Sequence, residues 1–368
     1  MNILLLNWRD PKNPKAGGAE IVTLQHAKAW VQAGYHVWWL ASSFKKALRE
    51  EKIDGITVVR RGNSVTIFFW AVFFYFFSGI TFNLVIDEAH GIPFFTPLFV
   101  RRPKIFFIHE IASEIWDYMY PFPINVIGRF LETFYIPFYK NIPLWTDAPS
   151  TVNELIKYGF KIKNCLAIPC PMIPTHQKKE LQKEKNKTFI FVSRVVRMKG
   201  VEEVIKAFGF IHREDIDAKL WIVGKGEKDY IKKLQQMTRE YGIEKCTTFF
   251  GAVSENEKFS LLGRAHILLH ASVKEGWGLV VIEAASQNTP SVVYNVAGLR
   301  DSVKNNITGI VLSTNSPYEM ARESLLLVED KKKYKTFQQN AFQWATSLTW
   351  KNATMKSIQL IKEVTSRG

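Results

Sequence analysis

The run KEGWGLVVIEAASQNTPSVV, from Lys274 to Val293, leaves a chain few folds to choose from. It follows the apolar stretch Ile267 to Ala271. It therefore reads as a short buried strand, a turn punctuated by Gly276 and Gly278, and a helix from about Leu279 to Gln287 that stops before Pro290. The first turn of such a helix carries unpaired N–H groups and partial positive charge, which makes it a natural seat for a phosphate. Glu275 and Glu283 bracket that turn, eight residues apart, or about 12 Å of helical rise. A ligand with a sugar at one end, phosphates in the middle and a ribose at the other fits the span. An ordinary strand-turn-helix unit with solvated glutamates has the same spacing, so the stretch gains meaning from what accompanies it.

Strand, turn and helix recur along the chain. Ile3 to Leu6 is a strand, followed by the long turn NWRDPKNPKAGGAE, in which Gly17 and Gly18 precede a helix from near Ala19. Glycines there let backbone approach a ligand closely. Lys104 to Ile108 is another strand, with His109 and Glu110 at its carboxyl end, where parallel sheets keep their ligands. A fresh series starts at Thr188. Phe189 to Val192 is a strand, and the loop Ser193 to Gly200 carries Arg194 and Lys199 five apart, two cations able to reach one diphosphate. Leu220 to Val223 ends in Gly224-Lys225-Gly226, and Phe249 to Val253 is one more strand and turn. The 368 residues suffice for two domains, each with its own core.

Together these elements resemble the retaining nucleotide-sugar glycosyltransferases of family 4, which have the GT-B fold. The likeness rests on E-x7-E at Glu275 and Glu283, Arg-x4-Lys-Gly at Arg194 to Gly200, and the His-acid pair at His109. It rests also on Val-Gly-x-Gly at Val223 to Gly226, the N-terminal Gly17-Gly18 loop and the Gly-rich turn Tyr294 to Asp301. It implies an α/β architecture of two Rossmann-like, doubly wound domains facing each other across a cleft. Their extents are 1–168 for the acceptor side, 169–187 for a linker, 188–348 for the nucleotide-sugar side, and 349–368 for a last helix returning to the first domain. In place of the family's Asn-Gly-Val-Asp run, this chain has Cys170-Pro171-Met172-Ile173.

The resemblance also implies roles. Glu275 and His109 contact the transferred sugar, while Arg194 and Lys199 bind the β-phosphate; these four form the expected catalytic set. Glu283 holds the ribose, Gly17 and Gly18 cover the diphosphate, and Gly224 and Val253 pass near the nucleotide. Gly276, Gly278 and Leu279 form the donor-binding turn. Configuration is retained by same-face attack with no agreed protein nucleophile, so neither Glu275 nor Glu283 is assigned as one, and the two cations take the place of a metal, with no other cofactor expected. Asp215-Ile-Asp217 reads as surface. A non-catalytic, membrane-associated binding subunit of the same fold is the alternative, and it predicts loss of phosphate- or sugar-binding residues that are here present. A dinucleotide enzyme wants G-x-G-x-x-G directly after its first strand, which is missing.

The net charge of +15 points to an anionic partner. No Arg-rich tract or interleaving of basic and aromatic residues supports nucleic acid, which leaves a phosphorylated donor, UDP- or GDP-linked, and acidic lipid headgroups. The segment VTIFFWAVFFYFFSGITF from Val65 runs straight into Asn83 to Asp87, a strand of the first sheet. It is therefore either a core helix or a helix on a membrane surface rather than a span. Arg60 and Arg61 before it suit anionic headgroups. Trp116 to Trp145 is crowded with aromatics and prolines, which fits internal packing and an apolar surface for a lipid-linked acceptor equally. Residues 43–61 read as solvated helix and loop around one strand-like run. Cys165, Cys170 and Cys246 form no metal or redox pattern, and MNILLLNW is too short an apolar run for a signal peptide. The expected enzyme is a retaining hexosyltransferase, peripheral on the cytoplasmic face of the membrane, acting on a lipid-linked or glycan acceptor.

Overall fold

Strands that read as continuous apolar runs, rather than alternating ones, belong in parallel sheets covered on both faces. Thr188–Val192 is such a strand, buried at every position. The computed structural model describes residues 1–172 and 181–366, and these form two compact units. The first comprises residues 1–170 and the terminal helix from Trp350; the second comprises 171–349.

The first unit opens with β1 (Asn2–Leu6), α1 (Gly18–Gln32) and β2 (His36–Ala41). Then come β3 (Glu50–Ile53), β4 (Ile56–Arg60) and α2 (Ile67–Phe77). β5 (Leu84–Ala89) and β6 (Lys104–Ile108) lead to α3 (Ile115–Met119) and α4 (Ile124–Tyr135). β7 (Leu144–Thr146), α5 (Pro149–Ile156) and β8 (Cys165–Ala167) complete the series. The sheet runs β3-β4-β2-β1-β5-β6-β7-β8, parallel except for β3 against β4. Its order reverses between β1 and β5, and the crevice at such a reversal is where ligands bind in open α/β sheets.

The second unit begins with β9 (Thr188–Val192), α6 (Val201–Glu214), β10 (Lys219–Val223) and α7 (Lys228–Glu240). It continues with β11 (Thr247–Gly251), α8 (Glu255–Arg264), β12 (Ile267–His270) and α9 (Leu279–Ser286). β13 (Ser291–Val293), α10 (Leu299–Ser302), β14 (Gly309–Val311), α11 (Pro317–Glu329) and α12 (Lys331–Ser347) follow. The sheet, β11-β10-β9-β12-β13-β14, is parallel throughout and reverses between β9 and β12. The last helix, α13 (Trp350–Ser366), packs in the first unit. Its buried Ser357 hydroxyl lies 2.9 Å from His26 Nδ1 and accepts from Trp30 Nε1 at 3.0 Å, both on α1.

Two sequence expectations change here. Residues 50–60 are not a solvated helix and loop but an antiparallel hairpin, turned at Asp54-Gly55 with φ of 50° and 84°. An Asp-Gly pair between strand-like runs is the signal of that turn. Arg60 is fully buried, donating to both carboxylate oxygens of Asp10 at 2.7 and 2.8 Å and to Glu51 at 2.5 Å, so it is no headgroup anchor. Residues 173–180 of the expected linker lie outside the described residues. The following segment is tied to the second unit, where Lys183 donates to the Ala265 carbonyl and the Thr289 hydroxyl at 2.7 and 2.6 Å. Asp217 is exposed, and Asp215 ends α6 on the surface, paired with Lys187 at 3.1 Å.

The segment from Val65 resolves into an eleven-residue helix, α2, which has no charged side chain. It buries Ile67 and Ala71 and exposes Phe69, Val72, Phe73, Phe76 and Phe77. Among the described residues no helix is long and apolar enough to cross a membrane.

Candidate functional site

In the second unit the turns at the carboxyl ends of β9 to β12 are laced together by main-chain bonds. Ser193 N–H donates to Val223 O and Gly224 N–H to Gly251 O, at 3.1 and 2.8 Å. Val273 N–H donates to Met198 O at 2.9 Å and Glu275 N–H to Ala297 O at 3.2 Å. Two glycines make this closeness feasible. A Cβ on Gly224 would stand 1.7 Å from the Ser193 carbonyl oxygen, and one on Gly200 would stand 1.9 Å from that of Ala271. Gly200 also takes φ +73°, so it fits only as glycine, and it brings the start of α6 against the end of β12.

This lacing sets Lys199 beside Glu275 at the switch point of the sheet. Lys199 Nζ donates to Glu275 Oε1 at 2.6 Å, and His270 Nε2 lies 3.0 Å from the same oxygen. Burial pushes the Glu275 carboxyl up, but the Lys199 charge and the His270 bond outweigh it and hold the group well below the usual carboxylate range. Glu275 is thus a carboxylate with one oxygen committed to these two donors. His270 is 1% exposed, and its Nδ1 has no hydrogen-bond partner among the described residues, so the ring donates from Nε2. Sequence reasoning passed over this histidine, which lies inside the apolar strand before the turn.

Gly278 caps α9, with Gly276 and Leu279 half-buried on the same turn. On α9 the buried Glu283 accepts from Lys258 Nζ of α8 at 2.9 Å, and Lys258 also reaches Glu255 at 2.9 Å. Burial raises the Glu283 carboxyl, and Lys258 offsets part of that rise. Arg194 is exposed on the turn that carries Lys199, and Val253 packs half-buried on the core beside α8.

The first unit builds a separate cluster at its own switch point. His109, at the end of β6 and 7% exposed, has Nδ1 2.5 Å from Asp147 Oδ2 and Nε2 3.0 Å from Glu88 Oε1. Burial lowers its pKa, but the two flanking carboxylates prevail and raise it to about 10, so the ring is an imidazolium donating from both nitrogens. Glu88, raised by burial but lowered more by His109 and His90, falls to about 2. The same Glu88 oxygen accepts from Thr23 of α1 at 2.8 Å and lies 3.2 Å from His90 Nε2. Gly17 precedes α1, and its N–H donates to Glu20 at 2.6 Å; Glu20 pairs with Arg9 at 2.7 Å, and Gly18 is the first helical residue. One atom each of Glu88, His90 and His109 falls within 4.8 Å of the others, close enough to hold a metal ion. The hydrogen bonds account for that closeness, since His109 carries a proton on each nitrogen.

Two units of parallel sheet, each with polar side chains gathered where its strand order reverses, define the GT-B class, and solved structures bear this out. The Anabaena protein HepE, solved in complex with UDP and glucose, superposes with a TM-score of 0.76 over 99% of this chain and 100% of its own, at 18% identity. At that identity the likeness is one of fold. Residues 172–344, which make up most of the second unit, match the family described as glycosyl transferases group 1. D-inositol 3-phosphate glycosyltransferase of Paenarthrobacter aurescens is 29% identical over 181 residues, 48% of this chain and 44% of that protein. The chain spans less than half the length of this and other curated relatives matched through the region. An uncharacterised glycosyltransferase of Methanocaldococcus jannaschii aligns more widely, at 25% identity over 83% of this chain and 80% of its own length.

Proposed function

We propose that the chain is a family 4 retaining glycosyltransferase that moves a hexosyl group from a UDP- or GDP-sugar to a lipid-linked or glycan acceptor, without a metal. The observation that carries this reading is the convergence of Lys199 and His270 on Glu275 at the switch point of the second sheet, with Glu283 on the next helix. Breaking a glycosidic phosphate bond makes the sugar cation-like while the diphosphate departs with extra negative charge. Lys199, Arg194 and the N-terminus of α9 supply fixed positive charge for that leaving group. Glu275, held ionised, orients sugar hydroxyls with its second oxygen, and Glu283 accepts from the ribose diol. In the first unit the His109 ring is fixed between Asp147 and Glu88. Calorimetric binding and hydrolysis of a panel of UDP- and GDP-sugars by the wild type, Glu275→Ala and Arg194→Ala tests this. One donor should bind and turn over, with turnover lost in both variants. Binding of no donor would refute the catalytic reading in favour of the binding subunit.

The acceptor side lies at an anionic lipid surface, on the cytoplasmic face of the membrane. Besides the exposed phenylalanines of α2, α4 and its flanks expose Phe122, Ile127, Phe130, Phe134 and Phe138, each more than half accessible. Fully burying one such side chain is worth about 1.5–3 kcal/mol, a gain that a lipid surface offers and water does not. Charge agrees: exposed Arg101 and Arg102 directly follow Phe99 and Val100, which pack on α2. The chain should float with phosphatidylglycerol vesicles and much less with phosphatidylcholine; flotation with neither sinks the membrane reading.

A further inference from the structure

Helix α4 is inside out. A helix on a soluble protein turns its apolar stripe inward and its charges outward. Here Ile127, Phe130, Leu131 and Phe134 are exposed, while Glu132 is 1% exposed. The buried carboxylate has a definite task. Its Oε1 accepts from Ala112 N–H at 2.8 Å and its Oε2 from Ser113 N–H at 2.7 Å, three and four residues after His109.

Ser113 is held at φ +34°, a conformation L residues seldom adopt, so the loop relies on being fastened there. Two further contacts tie the same helix to this region. Gly128 receives the ring of Trp116, leaving no room for a Cβ, and Tyr135 donates to Gly91 O at 2.7 Å, one residue beyond His90. One face of α4 therefore grips the loops that carry His109 and His90, and its other face is apolar and open to solvent.

We propose that α4 is a lipid-operated latch: seating its apolar face on an anionic lipid surface fixes, through the Glu132 carboxylate, the loop that carries His109. The inference rests on the membrane-docking reading above. A lipid surface that binds α4 only in its docked position stabilises that position against local opening, and Glu132 passes the stabilisation to Ala112 and Ser113. Glu132 is a positioning residue, since it reaches the histidine only through the backbone of the loop.

Amide hydrogen exchange of the full chain, read by mass spectrometry on peptides covering residues 110–116, tests the latch beside a flotation assay. With phosphatidylglycerol vesicles the wild type should float, and exchange in this loop should slow about tenfold. Glu132→Gln should float equally, yet its loop should show little vesicle-dependent slowing. A purely structural role for Glu132 would raise exchange alike with and without vesicles, leaving the ratio unchanged. Phe130→Ser/Phe134→Ser, altered only on the exposed face, should lose both flotation and protection. Wild type that floats without protection of the loop overturns the latch and leaves docking intact. Wild type that does not float overturns both, and Glu132→Gln protected as well as wild type removes the carboxylate from the mechanism.

Discussion

Replacing Lys199 with methionine tests whether the cluster in the second unit is built as described. Glu275 has 15% of its side chain exposed and Lys199 11%, so each is largely withdrawn from water. Deleting one member of a buried ion pair strands the other, at a cost of about 3–5 kcal/mol for a fully dry pair. The residual exposure and the remaining His270 bond argue for the lower end, about 3 kcal/mol. For a unit of this size that is a fall in Tm of about 6–12 °C.

Lys199→Met/Glu275→Gln removes both charges and should recover much of the loss, because no uncompensated carboxylate remains. On the proposed reading of Lys199 as a cation facing the departing diphosphate, activity should not recover, and turnover should stay about 100- to 1000-fold down. The pH dependence has a definite sign. Glu275 titrates below its unfolded value, so its contribution is present above the ordinary carboxylate pKa and is lost as pH falls. Without Lys199 one of the two groups that hold the carboxyl down is gone, so the loss begins at higher pH. Urea unfolding at several pH values, with donor turnover on the same preparations, measures all of this. A single variant within about 1 kcal/mol of wild type, or a double variant no more stable than the single, would refute the assigned geometry.

Two further perturbations address the scaffold. Gly200→Ala combines a left-handed backbone with a Cβ 1.9 Å from the Ala271 oxygen, and should cost at least about 2 kcal/mol in urea unfolding. Asp147→Asn removes one of the carboxylates that raise the His109 pKa to about 10. A raised folded pKa stabilises fully below the unfolded value near 6.5 and loses that contribution as pH climbs toward 10. Wild-type stability should therefore decline across this window, and the variant, weaker at pH 6, should decline less; parallel profiles would exclude the ion pair.

The fold was legible wherever a strand is buried on both faces, because such strands read as unbroken apolar runs and the turns after them carry glycines. The hairpin of β3 and β4 escaped because Glu50, Glu51 and Lys52 look solvated, and β3 is an edge strand on which charge is the norm. Asp54-Gly55 was the better signal, since turn chemistry depends on the backbone alone. Arg60 was misplaced for a different reason: its partner Asp10 lies fifty residues away, and only the packing of the folded sheet brings the two together.

The site divides along the same line. Lys199, Glu275 and Glu283 stand on turns and helices that follow directly from local pattern, so the elements that carry them could be placed from the sequence. His270 sits within the apolar strand and looks like core; its use depends on the chain doubling back after Ala271 to return Glu275 to the strand end. Glu88, Asp147 and His109 end three neighbouring strands, and that neighbourhood is set by sheet order, which periodicity does not encode. Glu132 is the extreme case. On a helical wheel it lies where a soluble helix would put its charge, opposite the phenylalanines, and hydropathy alone turns the helix the wrong way round. The inversion becomes visible only once the loop after β6 presents two N–H groups that need an acceptor. A helix whose single acid is used inward and whose apolar side is left outward is what the proposed docking on lipid would require, and the flotation and exchange measurements above decide it.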